Sequence, residues 1–350
     1  MEMTPELESF ANQTLEDLAA GYAGVLISIG EKLGLYKAMA GSGPLSSISL
    51  AERCDCNERY VREWLNAQAA SGYLDYHPES NCYEMQSHQA AVLADDTSPL
   101  YIPIAWNIPA SMWHDEAKTV AAFKNGTGVP WGDHDGRLHC GVAAFFRNAY
   151  RANLIQLWLP AIPGAVELLN SGAKVADVGC GFGYSTALMA RAFPNSTFYG
   201  FDPHQESISA AQEHAREQGV EERVRFEAHG AKTYQQSDFD LICFFDCLHD
   251  MGDPVGAAEH ARSALSDRGI VMLIEPFANA ELEKNLNTIG RLYYSASTTL
   301  CCAHSLSEDV GLALGAQAGP ERLRKVFIEA GFETFNTVLE TPFNLVIEAR

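Results

Sequence analysis

The 350-residue sequence predicts an α/β chain: a doubly wound, seven-stranded sheet closed by an antiparallel C-terminal hairpin, preceded by a smaller all-α unit. Three observations carry this. From Ala173 onward, short apolar runs alternate with helical periodicities at the spacing of a parallel sheet. The first run ends in a glycine-rich turn, Gly179-Cys180-Gly181-Phe182-Gly183, which opens a helix. The last two runs lie too close together for a crossover helix and read as a hairpin.

At the N-terminus, Leu15–Met39 carries apolar residues at helical spacing (Leu18, Tyr22, Val25, Leu26, Ile29, Leu33) and predicts one or two helices, ending at Gly41-Ser42-Gly43-Pro44. A short helix over Ser49–Cys54 and a second over Glu58–Ala70 follow, separated by a turn at Asp55 and Asn57. Tyr73–Tyr76 and Cys82–Met85, joined across His77–Asn81, predict a small β-hairpin. Helix, turn, helix and two-stranded wing make a winged helix-turn-helix over residues 1–95. Such a unit usually binds DNA. Here, however, five basic residues stand against fifteen acidic ones in the first hundred, and Glu58 and Glu63 flank Arg59 and Arg62 on the second helix. A phosphate-tracking face needs a cationic stripe, so the unit is expected to serve dimerisation instead.

Residues 96–170 hold Trp106, Trp113, Trp131 and Trp158 and a polar, glycine-rich stretch, Gly126–Gly136; a helical connecting region that lines a substrate is expected there. In the last part, 171–350, strands are predicted at Lys174–Val178, Thr197–Asp202, Val224–Ala228, Asp240–Asp246 and Ile270–Pro276. Helices fall near Tyr184–Phe193, Gln205–Gln218, Pro254–Leu265 and Gly319–Ala330, and Glu333–Leu339 with Phe343–Ala349 forms the closing hairpin.

Glycines at 179, 181 and 183 let ligand approach backbone. The third falls one residue early for the G-x-G-x-x-G dinucleotide fingerprint, with Tyr184 in its place. Asp177, at the end of the first strand, repels phosphate and attracts an amino group. The segment resembles the first motif of class I methyltransferases that use S-adenosylmethionine, which have a Rossmann-like fold. That resemblance implies that the turn (Gly179, Cys180, Gly181, Gly183, with Thr186 in the helix) receives the amino-acid part of this cofactor. Asp202, nineteen residues beyond Gly183 and followed by Pro203, is placed to accept ribose hydroxyls. The family's acid for adenine is replaced by Gly230, so the backbone at Gly230 and Ala231, or else His229, is left to contact the base. Asp246 is expected on the cofactor side, with Cys247 beside it.

Ligands of open α/β sheets bind at the carboxyl ends of strands, and His249 sits there. Leu248-His249-Asp250-Met251-Gly252-Asp253 resembles the H-D-W-x-D segment of small-molecule O-methyltransferases with winged-helix dimerisation domains, with Met251 in place of tryptophan. The resemblance implies His249 as general base and Glu275 and Glu321 as the acids that orient it. It extends to a less characterised group of bacterial winged-helix methyltransferases.

The expectation is therefore a methyltransferase acting on a small-molecule acceptor, at oxygen, with S-adenosylmethionine as donor and a homodimer built through the N-terminal unit. Two rivals stand beside it: an N- or C-methyltransferase with the same cofactor site, and a ligand-sensing transcription regulator. A formal charge of -21 argues against a nucleic-acid partner. The longest apolar stretch, Ala19–Gly30, is shorter than the ~18–20 residues of a membrane span. An acidic start, MEMTPELESF, and nine irregularly spaced cysteines point to the cytoplasm. No metal is expected: Cys301-Cys302 near His304 is not a ligand cage.

Overall fold

A computed structural model describes residues 3–350. The chain divides into two compact units, one of residues up to Ser111 with Cys140–Asn148, the other of Met112–His139 and Ala149–Arg350. Residues 96–170 thus fall partly in each.

In the smaller unit, the first helix runs Pro5–Lys32. Thr4 caps it by accepting from the Leu7 N–H, Pro5 starts it, and Glu6 and Glu8 sit in its first turn. After Leu35–Met39 come Ser47–Arg53, capped by Ser46, and Glu58–Ala70, capped by Asn57. Strands β1 (Asp75–His77) and β2 (Cys82–Glu84) pair antiparallel with Tyr76 opposite Tyr83, and Asn81 takes the left-handed turn position at φ 52°. Leu35, Leu50, Val61, Trp64 and Leu65 form the core, where the Tyr36 hydroxyl donates to Gln68 at 2.6 Å.

The first helix leaves most of its apolar stripe outside the core. Tyr22, Val25, Ile29 and Leu33 are exposed, whereas Gly24, Ile27 and Gly30 are buried. The two glycines explain this: a side-chain carbon on Gly24 would stand 2.0 Å from the Trp106 ring, and one on Gly30 would stand 2.6 Å from Trp64. Indoles lie directly on the helix backbone, and Trp64 Nε1 donates to the Leu26 carbonyl at 2.8 Å.

The larger unit holds β3 (Lys174–Val178), β4 (Thr197–Phe201), β5 (Val224–Glu227), β6 (Phe239–Phe245), β7 (Leu265–Pro276), β8 (Phe335–Glu340) and β9 (Asn344–Ala349) in the spatial order β5-β4-β3-β6-β7-β9-β8. Strands β3 to β7 are parallel, and β9 runs antiparallel to both β7 and β8. Seven strands and the closing hairpin match the predicted class. Ile242, Phe244, Val271, Leu273 and Ile347 are fully buried, as a sheet covered on both faces requires. Strand β7 begins five residues earlier than its apolar run, because Leu265 pairs with Phe239 across a register shift. The strand order reverses between β3 and β6, which places a crevice at the carboxyl ends of these two strands. Among the described residues, no single helix is long and apolar enough to cross a membrane.

Candidate active site

Three glycines with positive φ (76°, 50° and 70° at 179, 181 and 183) make the turn after β3, and each answers a different demand. A side-chain carbon on Gly179 would meet Cys247 Sγ at 2.7 Å, and one on Gly183 would meet the Phe226 ring at 2.5 Å and Ala211 at 2.9 Å. Gly183, expected to touch ligand, is therefore required by helix–strand packing. Only Gly181 is open, with nothing within 4 Å of such a carbon. Its N–H donates to Asp202 Oδ2 at 3.0 Å, while Asp202 Oδ1 accepts from the His204 N–H at 2.9 Å. Burial raises the pKa of Asp202 against the pull of these two donors.

Asp177 is fully buried. Its Oδ2 accepts from the hydroxyls of Ser185 at 2.6 Å and Thr186 at 2.5 Å, and its Oδ1 has no partner. Burial pushes its pKa up to about 6, opposed by the two hydroxyls. Cys180 is buried, Pro203 is exposed, and Gly230 and Ala231 are half-buried, with the Gly230 carbonyl accepting from Thr233. The sequence reading passed over Glu227 at the end of β5, which accepts two hydrogen bonds from the Gln236 amide, at 3.0 and 2.8 Å.

Strand β6 is followed by Asp246, in the left-handed region at φ 51°, and the chain then makes a single 3₁₀ turn, Leu248–Asp250. His249 is buried on this turn. Its Nδ1 is hydrogen-bonded to Glu275, which comes from the end of β7 and also accepts the Leu248 N–H at 3.1 Å. Nε2 of His249 lies 3.0 Å from Asp250 Oδ1. Glu321 is not part of this cluster: it is exposed in the first turn of the helix Gly319–Glu329. The second acid at the imidazole is Asp250, the neighbouring residue, brought in by the tightness of the turn. Burial opposes charging His249, but Asp250 and Glu275 outweigh it and raise its pKa well above the ordinary histidine value. Asp246 also lies on this side. Its Oδ1 accepts from Asn344 at 2.9 Å, its Oδ2 is buried without a partner, and burial with the nearby Glu275 charge raises its pKa strongly.

The glycine-rich stretch forms a strap within this unit. The Val129 N–H donates to the Ala303 carbonyl at 2.8 Å and the Trp131 N–H to His304 Nδ1 at 3.1 Å. The His139 ring lies 4.7 Å from that of His204, two residues beyond Asp202. Buried Asp115 anchors the strap, accepting from Lys118, His134 and the Asp135 N–H. Asp115, His139 and His204 were missed in sequence, whereas Gly126–Gly136, which holds Val129 and Trp131, had been expected to line a substrate; the histidines at 134 and 139 were the available signal.

Residues 169–331 match the family model of a methyltransferase domain, and residues 21–95 match that of an Rv2258c-like winged helix-turn-helix domain. Residues 169–331 therefore carry a methyltransferase domain. The chain is 30% identical over 125 residues to a ubiquinone biosynthesis O-methyltransferase of Methylococcus capsulatus, a match covering 35% of this chain and 47% of that one. The chain thus spans about half the length of the curated relatives it matches. A crystal structure described as a putative O-methyltransferase from Nostoc punctiforme superposes with a TM-score of 0.71 at 21% identity, covering 100% of this chain and 99% of that one. The human N-acetylserotonin methyltransferase in complex with S-adenosylmethionine gives a TM-score of 0.72 at 18% identity, covering 97% of each chain. At these identities the solved structures speak for the fold.

Proposed function

We propose that this methyltransferase alkylates a small-molecule acceptor at oxygen, with His249 as general base. The observation that carries the reading is the placement of His249: buried at the carboxyl end of β6, the strand beside β3, with Nδ1 held by Glu275 and Nε2, next to Asp250, as the nitrogen that would take an acceptor's proton.

The residues fit S-adenosylmethionine. Asp177 Oδ1 is a buried acceptor without a donor, as an ammonium partner requires, and Gly181 leaves the turn open. Asp202 and Pro203 would hold the ribose, Gly230 and Ala231 the adenine, and Gly179, Cys180, Thr186, Asp246 and Cys247 the surrounding wall. When bound, the cofactor supplies a methyl group already activated on a sulfonium. The chain's residues then have to hold an acceptor in line, exclude water and manage one proton. A phenol of pKa ~10 is mostly protonated at neutral pH, and proton removal by a positioned imidazole contributes ~10²- to 10⁴-fold. Glu275 fixes the ring and offsets the charge that forms on it.

The winged-helix unit is read as a dimerisation module rather than a DNA reader, because Arg59 and Arg62 are ion-paired to Glu63 and Glu58 on the same helix. The free cysteines fit a cytoplasmic setting.

Isotopically labelled donor incubated with a metabolite extract, followed by mass spectrometry, tests the activity and identifies the acceptor. His249→Ala is expected to lower turnover at least ~100-fold while leaving cofactor affinity nearly unchanged. A rate within threefold of the parent would put the base elsewhere.

A further inference from the structure

We propose that His249, Asp250 and Cys301 form a site for a thiophilic divalent cation, with zinc the best fit, and that its occupancy switches methyl transfer off. The inhibitory half rests on His249 being the base; the binding half does not.

Cys301 is remote in sequence from the adjacent His249 and Asp250, but the three donor atoms all lie within 4.8 Å of one another. His249 and Asp250 share the 3₁₀ turn Leu248–Asp250, while Cys301 ends a π-helical segment, Ser297–Cys301. Segments of that kind inside helices often mark functional positions. An imidazole nitrogen, a carboxylate oxygen and a thiolate sulfur are the three ligand types that zinc takes, and three protein ligands leave the fourth tetrahedral position to water. Glu275 on Nδ1 supplies what a metal-binding histidine almost always has, a carboxylate on its other nitrogen, and it leaves only Nε2 for an ion.

Two further observations point to a cation. Asp250 Oδ1 is buried 3.0 Å from His249 Nε2, yet it receives no hydrogen bond of normal geometry. Two carboxyl groups, Asp250 and Glu275, flank one imidazole, and among the described residues neither is ion-paired to lysine or arginine. A divalent ion supplies the missing positive charge. Its entry releases the Cys301 thiol proton, and the Nε2 proton where the ring carries one, to solvent; no oxidation state changes. With Nε2 ligated, the lone pair that would accept the acceptor's proton is occupied.

The test titrates metal-free full-length protein with Zn²⁺ and Co²⁺. One ion per chain and an intense thiolate-to-cobalt band in the near ultraviolet are expected. Cys301→Ser should abolish the band, whereas Cys140→Ser, at an exposed cysteine, should retain it. Glu275→Gln should weaken the ion ~10- to 100-fold. In the labelled-donor assay, zinc should stop label transfer and a chelator should restore it. The rate of Cys301→Ser, whatever its zinc-free value, should no longer respond to zinc. Absence of a stoichiometric ion, or a cobalt band that survives Cys301→Ser, overturns the site. A stoichiometric ion with undiminished transfer overturns the switch. His249→Ala retaining full zinc-free turnover would overturn the base reading and leave the binding result standing.

Discussion

At the scale of single residues, the site is governed by carboxylates that cannot all be ionised and solvated at once. His249 lies between Asp250 and Glu275, and the two charges hold its pKa well above the ordinary value of about 6.5 despite burial. A base must be unprotonated to act. The acidic limb of the kcat/KM profile should therefore lie above pH 6.5, and Asp250→Asn, which removes one of the two charges, should move it downward. An unmoved limb would mean that another group controls the rate. Asp177 provides a second pH signature of opposite meaning. Its folded-state pKa, about 6, exceeds that of an unfolded aspartate, so the folded chain binds the extra proton. The stability this brings is complete below the unfolded value of ~3.9 and is lost as pH rises through about 6. Ligand-free protein should thus lose melting temperature between pH 4.5 and 7 relative to Asp177→Asn. Cofactor affinity, which needs the carboxylate ionised, should rise over the same interval in the parent chain and stay flat in the variant; calorimetry at several pH values reads both.

At the scale of elements, the turn after β3 separates residues that serve packing from residues that serve a ligand. Valine at Gly181 meets no neighbour, so its cost is the strain of a branched residue at φ 50°, about 1–3 kcal/mol, plus an obstructed approach for the cofactor. Alanine at Gly183 instead collides with Phe226 and Ala211. Gly181→Val should abolish cofactor binding in a chain that still unfolds cooperatively, whereas Gly183→Ala should chiefly lower the unfolding midpoint. Reversed outcomes would exchange the two roles. The sequence made the strands and the turn legible because apolar runs and glycines are local signals. It could not show which glycine faces a side chain from another strand, since Phe226 lies on β5. The same non-locality hid the buried face of the first helix, which is set by indoles from Trp64 and Trp106. Glu275 was reached through the family resemblance, which matched it at its strand end. Asp250, hidden as the immediate neighbour of His249, was passed over for Glu321, and Cys301 was read beside His304, where chain proximity suggested a partner and folding supplied two others.

At the scale of the whole molecule, charge and apolar exposure pull in opposite directions. The first helix is 28 residues long, about 42 Å at 1.5 Å per residue, and it leaves Phe10, Leu15, Leu18, Tyr22, Val25 and Leu33 at least half exposed. An isologous interface sets the same patch of two copies face to face, and this exposed apolar surface is the patch proposed for it. Each chain carries a formal charge of -21, so two copies repel one another. The dimer read for this protein should accordingly tighten as salt is raised, because screening weakens the repulsion while apolar burial persists. Binding to a duplex would do the reverse, since released counterions make it weaken with salt. Sedimentation equilibrium across a salt series gives the sign. The double variant Tyr22→Glu with Val25→Glu changes two exposed positions and leaves the Gly24 and Gly30 face intact. It should keep the parent's circular dichroism and melt, yet sediment as a monomer at every salt concentration; a dimer that survives it would place the interface on some other surface.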